Sequence, residues 1–413
     1  MIDSAAPPAL PEATEPAATD ADAETAEPHE VVPDDDVTRV AEPADANDTE
    51  IGVLRTPTRP GRSWNWTFSF TLNAFYDDNI LISNSDKESD EILKTSVNLG
   101  FTWGDYLKKK DNFLMVQYAP SWLFFADHSN YNGFEQVGTM VGQWRTGKFT
   151  FGGVFGLQTT TGGDIDVGAR ANLTMYNFEL RAKYDYNEKT SAEVNLFRNA
   201  SDYAVYRSSV EWVDQNWVDY QMSPKARLGL GLTLGDLIPK GSAAQTYEQA
   251  LGRFYIPATS KLEISASGGM EVRQLGGGAG TQTKPVFRIG ASYAPANGTN
   301  LSLEASRANF SAAALDGADF TATQVTLTAR QRLGRRFALT LAGGYEDAQY
   351  EGTGSTVGIT RHDKYLFVRP AISMSVSKRL VLELYYKYRR NNSTELPFSF
   401  DNNIIGLQAT LSF

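Results

Sequence analysis

The chain has 413 residues, a formal net charge of -11, 12% aromatic residues and no cysteine. Mean hydropathy is -0.34, and no apolar run approaches the roughly 20 residues of a membrane helix, which excludes a helical inner-membrane protein but not a barrel, whose strands hide their lipid face in alternation. The absence of cysteine excludes a disulfide scaffold and thiolate metal sites.

Charge is unevenly placed. Residues 1–60 hold 15 Asp and Glu against three Arg and no Lys, and the remainder is nearly neutral. The first segment is Ala, Pro, Glu and Asp with almost no aromatics, so it cannot bury enough apolar area to offset its ordering entropy and is expected to be disordered. No basic start followed by an apolar core is visible; an export signal is inferred rather than seen. Two regions are therefore expected: an acidic tail over 1–60, placed in the periplasm, and a β-domain over 61–413.

From Ser63 the pattern changes to period two. Trp64, Trp66, Phe68, Phe70, Leu72, Ala74 and Tyr76 share one face, and Asn65, Thr67, Ser69, Thr71 and Asn73 the other, as successive side chains of a strand do. The next run repeats it with Leu93, Thr95, Val97, Leu99, Phe101 and Trp103. Later runs include Leu228 to Leu234, Leu262 to Val272, Leu366 to Val376 and Leu380 to Tyr388. Eighteen such runs are counted, with 16–18 as the range; those around 133–145 and 246–256 are the least regular.

Short turns fall at Thr146-Gly147-Lys148, Asn187-Glu188-Lys189, Ser223-Pro224-Lys225, Pro295-Ala296-Asn297-Gly298, Gly334-Arg335-Arg336 and Ser377-Lys378-Arg379. Gly, Pro and Asn supply their dihedrals. Longer loops are expected at 77–91, 275–284, 348–363 and 391–401. Alternating short and long connections are those of outer-membrane barrels. Trp64, Trp103, Trp144, Phe149, Tyr186, Tyr220, Tyr255, Tyr293, Phe337 and Phe413 fall near the short-turn ends; Tyr76, Phe124, Tyr345 and Tyr388 fall near the others. Such banding suits rings that settle at headgroup level. A soluble sandwich also alternates, but its strands run to about 5–6 residues, whereas these runs are long enough to cross a bilayer at a tilt. The expected fold is all-β: a transmembrane antiparallel up-and-down barrel of about 18 strands.

The last run, Ile405, Leu407, Ala409, Leu411 and Phe413, ends on an aromatic. A terminal Phe413 on an alternating strand looks like the sorting signal that the outer-membrane assembly machinery reads. The stretch Phe75-Tyr76-Asp77-Asp78-Asn79-Ile80 resembles the Y-D-D-N segment of the putative β-barrel porin 2 family, and the likeness extends over about residues 62–413. Barrels of that kind often occur beside exopolysaccharide synthesis genes. The resemblance implies passive diffusion or export through the outer membrane, of a polysaccharide among the candidates, and brings no catalytic residues.

If the apolar face meets lipid, the other face lines the bore. That places Glu179, Arg181, Lys183, Glu263, Glu271, Arg273, Arg288, Glu304, Arg330, Arg332, Arg369, Glu383 and Lys387 inside. Inward charges need water or partners, and a barrel of 16–18 strands leaves an aqueous channel. A selectivity constriction and a plain solvated wall both explain them. His29, His128 and His362 are too scattered for a metal site, and the Gly276-Gly277-Gly278-Ala279-Gly280 run opens no helix, so no phosphate cradle is expected. No catalytic residue, metal or cofactor is expected. The acidic loop with Asp77, Asp78, Asp86, Glu88, Asp90 and Glu91 reads as solvated, with Ca²⁺ or bridged lipopolysaccharide as the sharper alternative. The basic turns, with Lys108, Lys109, Lys110, Arg335, Arg336, Lys378 and Arg379, read as solvated as well. Expected partners are outer-membrane lipid and lipopolysaccharide, the assembly machinery, and a hydrophilic solute or polysaccharide, with no nucleic acid; oligomerisation is left open. The leading expectation is a porin-like, water-filled channel. Its alternative is a non-conducting surface barrel for binding, anchoring or envelope assembly. An extracellular loop folded into the bore discriminates the two, and 348–363 is the candidate plug.

Overall fold

The computed structural model describes residues 64–104, 112–278, 280–315, 318–352 and 360–413. The expected tail, Lys108 to Lys110 and the central part of the candidate plug lie outside the described residues.

In chain order the strands are β1 Trp64–Asp77, β2 Asp90–Gly104, β3 Phe113–Phe125, β4 Gly133–Thr146, β5 Phe149–Thr160, β6 Gly163–Asp164, β7 Ala169–Arg170, β8 Leu173–Asp185, β9 Thr190–Tyr203 and β10 Ser209–Ser223. They continue as β11 Ala226–Pro239, β12 Gln245–Thr259, β13 Leu262–Leu275, β14 Gly280–Tyr293, β15 Thr299–Ser311, β16 Ala318–Leu333, β17 Phe337–Gly352, β18 Thr360–Ser375, β19 Leu380–Ser393 and β20 Phe400–Ser412. All but β6 and β7 form one antiparallel sheet of 18 strands, each paired with its neighbours in sequence. The ring closes where β1 pairs with β20, from Ser69 opposite Ser412 to Asp77 opposite Ile404. The irregular runs at 133–145 and 246–256 are the full strands β4 and β12.

Burial follows the alternation. Trp64, Trp66, Phe68, Phe70, Leu72 and Tyr76 stand exposed on the outside of β1, while Ser69, Asn73 and Asp77 between them are buried inside. Large exposed apolar side chains recur around the ring, from Leu93 and Trp122 to Leu384 and Leu407. In water such a surface would be an aggregation site; in a bilayer it is the lipid belt of a closed barrel, which leaves no sheet edge unpaired. Most of the expected girdle aromatics are on this face. Tyr255 is a correction: it pairs with Arg227 and shares its inward face, with the guanidinium 5.8 Å from the ring centroid.

The connections differ from expectation in length. The stretches expected as loops at 275–284 and 391–401 are shortened by strand, since β13 runs to Leu275, β14 starts at Gly280, β19 runs to Ser393 and β20 starts at Phe400, which leaves 276–279 and 394–399 as the connections. The strands rise past the membrane band, so polar residues at their outer ends do not stop the ladder. The longest described outer connections are 78–89 and 161–172, and both fold inward.

The Asp77-Asp78-Asn79 segment has a structural role that explains its composition. Asn79 accepts from Ser83 N at 2.8 Å and donates to Ser83 O at 2.8 Å and Asp401 O at 3.0 Å. Asp78 accepts from Asn403 N at 2.7 Å and Asn403 Nδ2 at 2.7 Å, and Asn402 donates to Asp77. Short amides and carboxylates can satisfy several backbone groups at once, so this segment latches β1 to β20 where the closing ladder ends. Asp90 is likewise committed to the protein: it caps the N–H groups of Ala126 and His128 at 2.9 and 2.8 Å. Asp77, Asp78 and Asp90 are therefore not part of a solvated loop. Among the described residues no group of three potential metal ligands gathers.

Candidate functional site: the lumen

The inner wall uses glycine to accommodate large side chains. A Cβ at Gly231 would lie 2.5 Å from the Trp217 ring, and one at Gly235 2.0 Å from the Tyr247 ring. The rings of β10 and β12 therefore lie flat on the bare backbone of β11 instead of projecting across the bore. Arg253 lies over Trp217 at 4.3 Å and donates to Asp219 at 2.8 Å. Gly406 receives the Tyr385 ring in the same way. Close packing forbids anything larger at these positions.

All the sequence-predicted lumen charges have the inward phase of their strands, but they divide by depth. Near the short-turn end, Arg330 and Arg332 on β16 and Glu304 on β15 are exposed to water within the barrel, and Glu263 and Arg288 are half-exposed. Arg181 lies 3.2 Å from Glu179, and Lys183 3.2 Å from Asp185. Higher up the charges are packed away. Arg273 is 4% exposed and holds Glu271 at 2.8 Å. Arg369, also 4% exposed, holds Glu383 at 2.8 Å and lies over the Tyr385 ring at 4.4 Å, with Lys387 buried nearby on β19. The four cations Arg330, Arg332, Arg369 and Lys387 thus form two sets: an open pair toward the short-turn end and a buried pair above it.

Inward-folded segments occupy part of the outer bore. The 161–172 connection, with its β6–β7 ribbon, reaches strands that are not its neighbours in the ring. Arg361 on β18 donates to the backbone oxygens of Asp166 at 2.7 Å and Ile165 at 2.9 Å. Ile165 packs in a buried cluster with Ile82, Ala342, Tyr365, Phe367 and Phe400, which draws in the 78–89 connection. Arg361 is gripped by Asp363 and stacks on Phe398 at 3.5 Å and Tyr350 at 4.3 Å. Tyr350 in turn stacks on Phe320 at 4.7 Å and Phe320 on Phe310 at 5.2 Å. One row of planar groups thus crosses β15 to β18 and the 394–399 turn beneath the outer opening. Arg170 completes this layer, 4.7 Å over the Phe125 ring. Burial draws its guanidinium below the ordinary value, against the opposing pull of Glu135 and Asp77.

The connections that fold into the bore, among the described residues, include 161–172 and 78–89. Of the expected plug at 348–363, residues to Gly352 and from Thr360 onward are strand, and 353–359 lie outside the described residues. The 161–172 segment was legible only in part: Ile165 and Val167 alternate with Asp164 and Asp166 in a stretch flanked by glycines, an apolar pattern out of place in a loop facing water. His128 contacts Asp90 at 2.8 Å and Glu88 at 3.2 Å, and His362, a strand residue of β18, contacts Asp347 at 2.9 Å. Phe413 packs its ring 5.5 Å from Phe68 at the foot of the closing seam.

Among solved structures, the fold is similar to the outer membrane protein opdK of Pseudomonas aeruginosa, at 12% identity and TM-score 0.42, covering 84% of this chain and 99% of that one. It is also similar to OccAB4 of Acinetobacter baumannii, at 8% and 0.44, covering 86% and 100%. A third is OccK2 of Pseudomonas aeruginosa in complex with glucuronate, at 12% and 0.45, covering 84% and 98%. Values this low carry nothing about substrate. No curated protein matches the sequence. From the end of β14 through β20, residues 290–413 match the family described as Putative beta-barrel porin 2, the family that the Tyr76-Asp77-Asp78-Asn79 segment resembles.

Proposed function

We propose that the protein is an outer-membrane channel for passive passage of small hydrophilic solutes, narrowed at its outer mouth by inward-folded segments. The observation that carries this reading is the water-exposed, charged inner wall around Arg330, Arg332 and Glu304. Charges on the inside of a wide barrel are stable only against water or partners, and a wet bore of this width is a conduction path. Inner-wall charge biases which ions enter. Among the described residues the side chains place no substrate-shaped cradle that would select one solute, so graded passage by size is expected. Saccharide chains fall within the same reading, as do contacts with lipopolysaccharide and with the assembly machinery, and a periplasmic tail ahead of β1.

The test is swelling of proteoliposomes in neutral sugars of increasing size. Swelling that declines with sugar size supports the channel; no swelling with any sugar, by liposomes containing folded protein, counts against it. A second reading, a barrel that binds or anchors without conducting, is favoured by one observation: the buried contact of Arg361 with Ile165 and Asp166 beneath the outer mouth.

A further inference from the structure

The polarity of β15, β16 and β17 reverses along each strand at the same level. On the outward phase of β15, Leu301, Leu303 and Ala305 give way to Arg307, Asn309 and Ser311; on β16, Ala329, Leu327 and Val325 give way to Thr323, Thr321 and Asp319. On β17, Leu339, Leu341 and Tyr345 give way to Asp347, Gln349 and Glu351. The inward phase does the opposite. Ser302, Glu304 and Ser306 are followed by Ala308 and Phe310, and Arg330, Thr328 and Thr326 lead up to Ala322, Phe320 and Ala318. Thr340 and Glu346 are followed by Ala348 and Tyr350. The ladders between these strands run through the reversal in constant register, so no bulge causes it. A polar outer face cannot meet lipid; it can face only water above the membrane band or the inside of the barrel.

The three outer ends tuck inside the barrel instead. The β14–β15 ladder stops at Phe287 opposite Arg307, and Gly280 to Val286 have no partner on β15. The outward-phase side chains of β15–β17 meet the inner face of β13 and β14. Asn309 donates to Glu271 at 2.9 Å, and Lys284 donates to Thr321 at 3.0 Å and Glu351 at 3.0 Å. Asp319 is buried beside Arg273, where only a cleft too small for a solute remains. The tip continues across the mouth: Ala313 N donates to Asp166 at 2.7 Å, and Arg207, between β9 and β10, donates to Leu315 O at 3.0 Å.

We propose that the outer ends of β15–β17 are a flap that gates the bore, an inference that rests on the channel reading above. The closed position is held by hydrogen bonds and ion pairs between side chains. The open position is the continuation of the existing register, Val286 opposite Ala308 up to Gln282 opposite Ala312, which would return the flap to the wall and free the lumen over β12–β14. Side-chain bonds are exchanged for backbone ladder bonds and for water on the polar face. Pro285, which has no N–H to offer, and the polar face both weaken the in-wall position. A gate requires that the two positions exchange, and the test below reads that exchange.

The chain contains no cysteine, so the pair Glu271→Cys and Asn309→Cys can be joined selectively by a short, reducible bifunctional thiol reagent. Single-channel recordings before joining should show openings more frequent than in the unaltered protein, because the Glu271 contact is lost. Joining should cut open time by at least about tenfold, and reduction should restore it. Glu271→Gln, which keeps the shape and removes the charge, should also open more often and covers the case in which the double variant does not fold. Equal open times in joined, reduced and Gln-substituted proteins that all conduct would overturn the flap and leave the channel standing. Absence of current from every one of them would overturn the channel and the flap with it.

Discussion

Arg361 and Asp166, 195 positions apart, meet beneath the outer mouth, where the guanidinium Nη1 donates to the Asp166 carbonyl at 2.7 Å. The same guanidinium bonds Ile165 O and Asp363 and is sandwiched by Phe398 and Tyr350. A planar fork with five donors is the side chain best suited to hold two carbonyls and a carboxylate at once.

Replacing Arg361 with Leu should therefore release 161–172 and leave Asp363 buried without its partner. Breaking such a pair costs about 3–5 kcal/mol. The expected outcome is a lower unfolding midpoint in detergent together with a larger conductance. The double variant with Asp363→Asn should recover stability and keep the larger conductance. Unchanged conductance in a folded double variant would show that the 161–172 segment does not limit the path.

The latch at the closing seam makes a separate prediction. Asn402→Ala removes the amide that Asp77 and Asp78 accept from and leaves those carboxylates short of a donor. A buried polar group left without its partner costs about 1–3 kcal/mol. Equilibrium urea unfolding in detergent should show a drop of that order with conductance unaltered. No drop would mean that the β1–β20 ladder alone seals the barrel.

Gly235→Ala should act through Tyr247, whose ring occupies the position of the new methyl group. The ring must lift from the β11 wall and give up its 2.9 Å bond to Glu211. Overpacking of this kind costs about 1–3 kcal/mol, and the displaced ring should lower conductance. Gly241→Ala, where nothing lies within 4 Å but φ is +85°, should lower stability and leave conductance alone.

Selectivity should follow exposure. Changing Arg330 and Arg332 to Glu should shift the reversal potential toward cations, more in dilute salt, because the Debye length is about 10 Å at 0.1 M and like charges in a narrow path repel co-ions. Arg369→Gln should shift it less, since Arg369 is buried and already matched by Glu383. Equal shifts from both changes would show that burial does not separate the two sets.

Much of the barrel was legible in the sequence. Period-two alternation from Trp64 onward needs only the two faces of a strand, and it carries the strand number, the lipid face and the inward phase of every expected lumen charge. Loop lengths were not legible at 275–284 and 391–401, because a strand that has left the membrane no longer needs an apolar face and its alternation fades before its ladder ends. The polarity reversal of β15–β17 was missed for a related reason. Leu303 and Asn309 occupy one phase of β15, and a search for runs of alternation registers each half but not the reversal between them. Likewise, Asp77 to Asn79 looked like acidic loop because the carboxylates' partners, Asn402 and Asn403, lie at the other end of the chain.

The channel reading is tested most directly by the single-channel conductance of the full chain in a planar bilayer, beside Arg361→Leu/Asp363→Asn. The expected result is discrete current steps from both, larger in the variant, with insertion verified by heat-modifiable gel mobility. Silence from both proteins, inserted and folded, would contradict it and leave a barrel that binds or anchors without conducting.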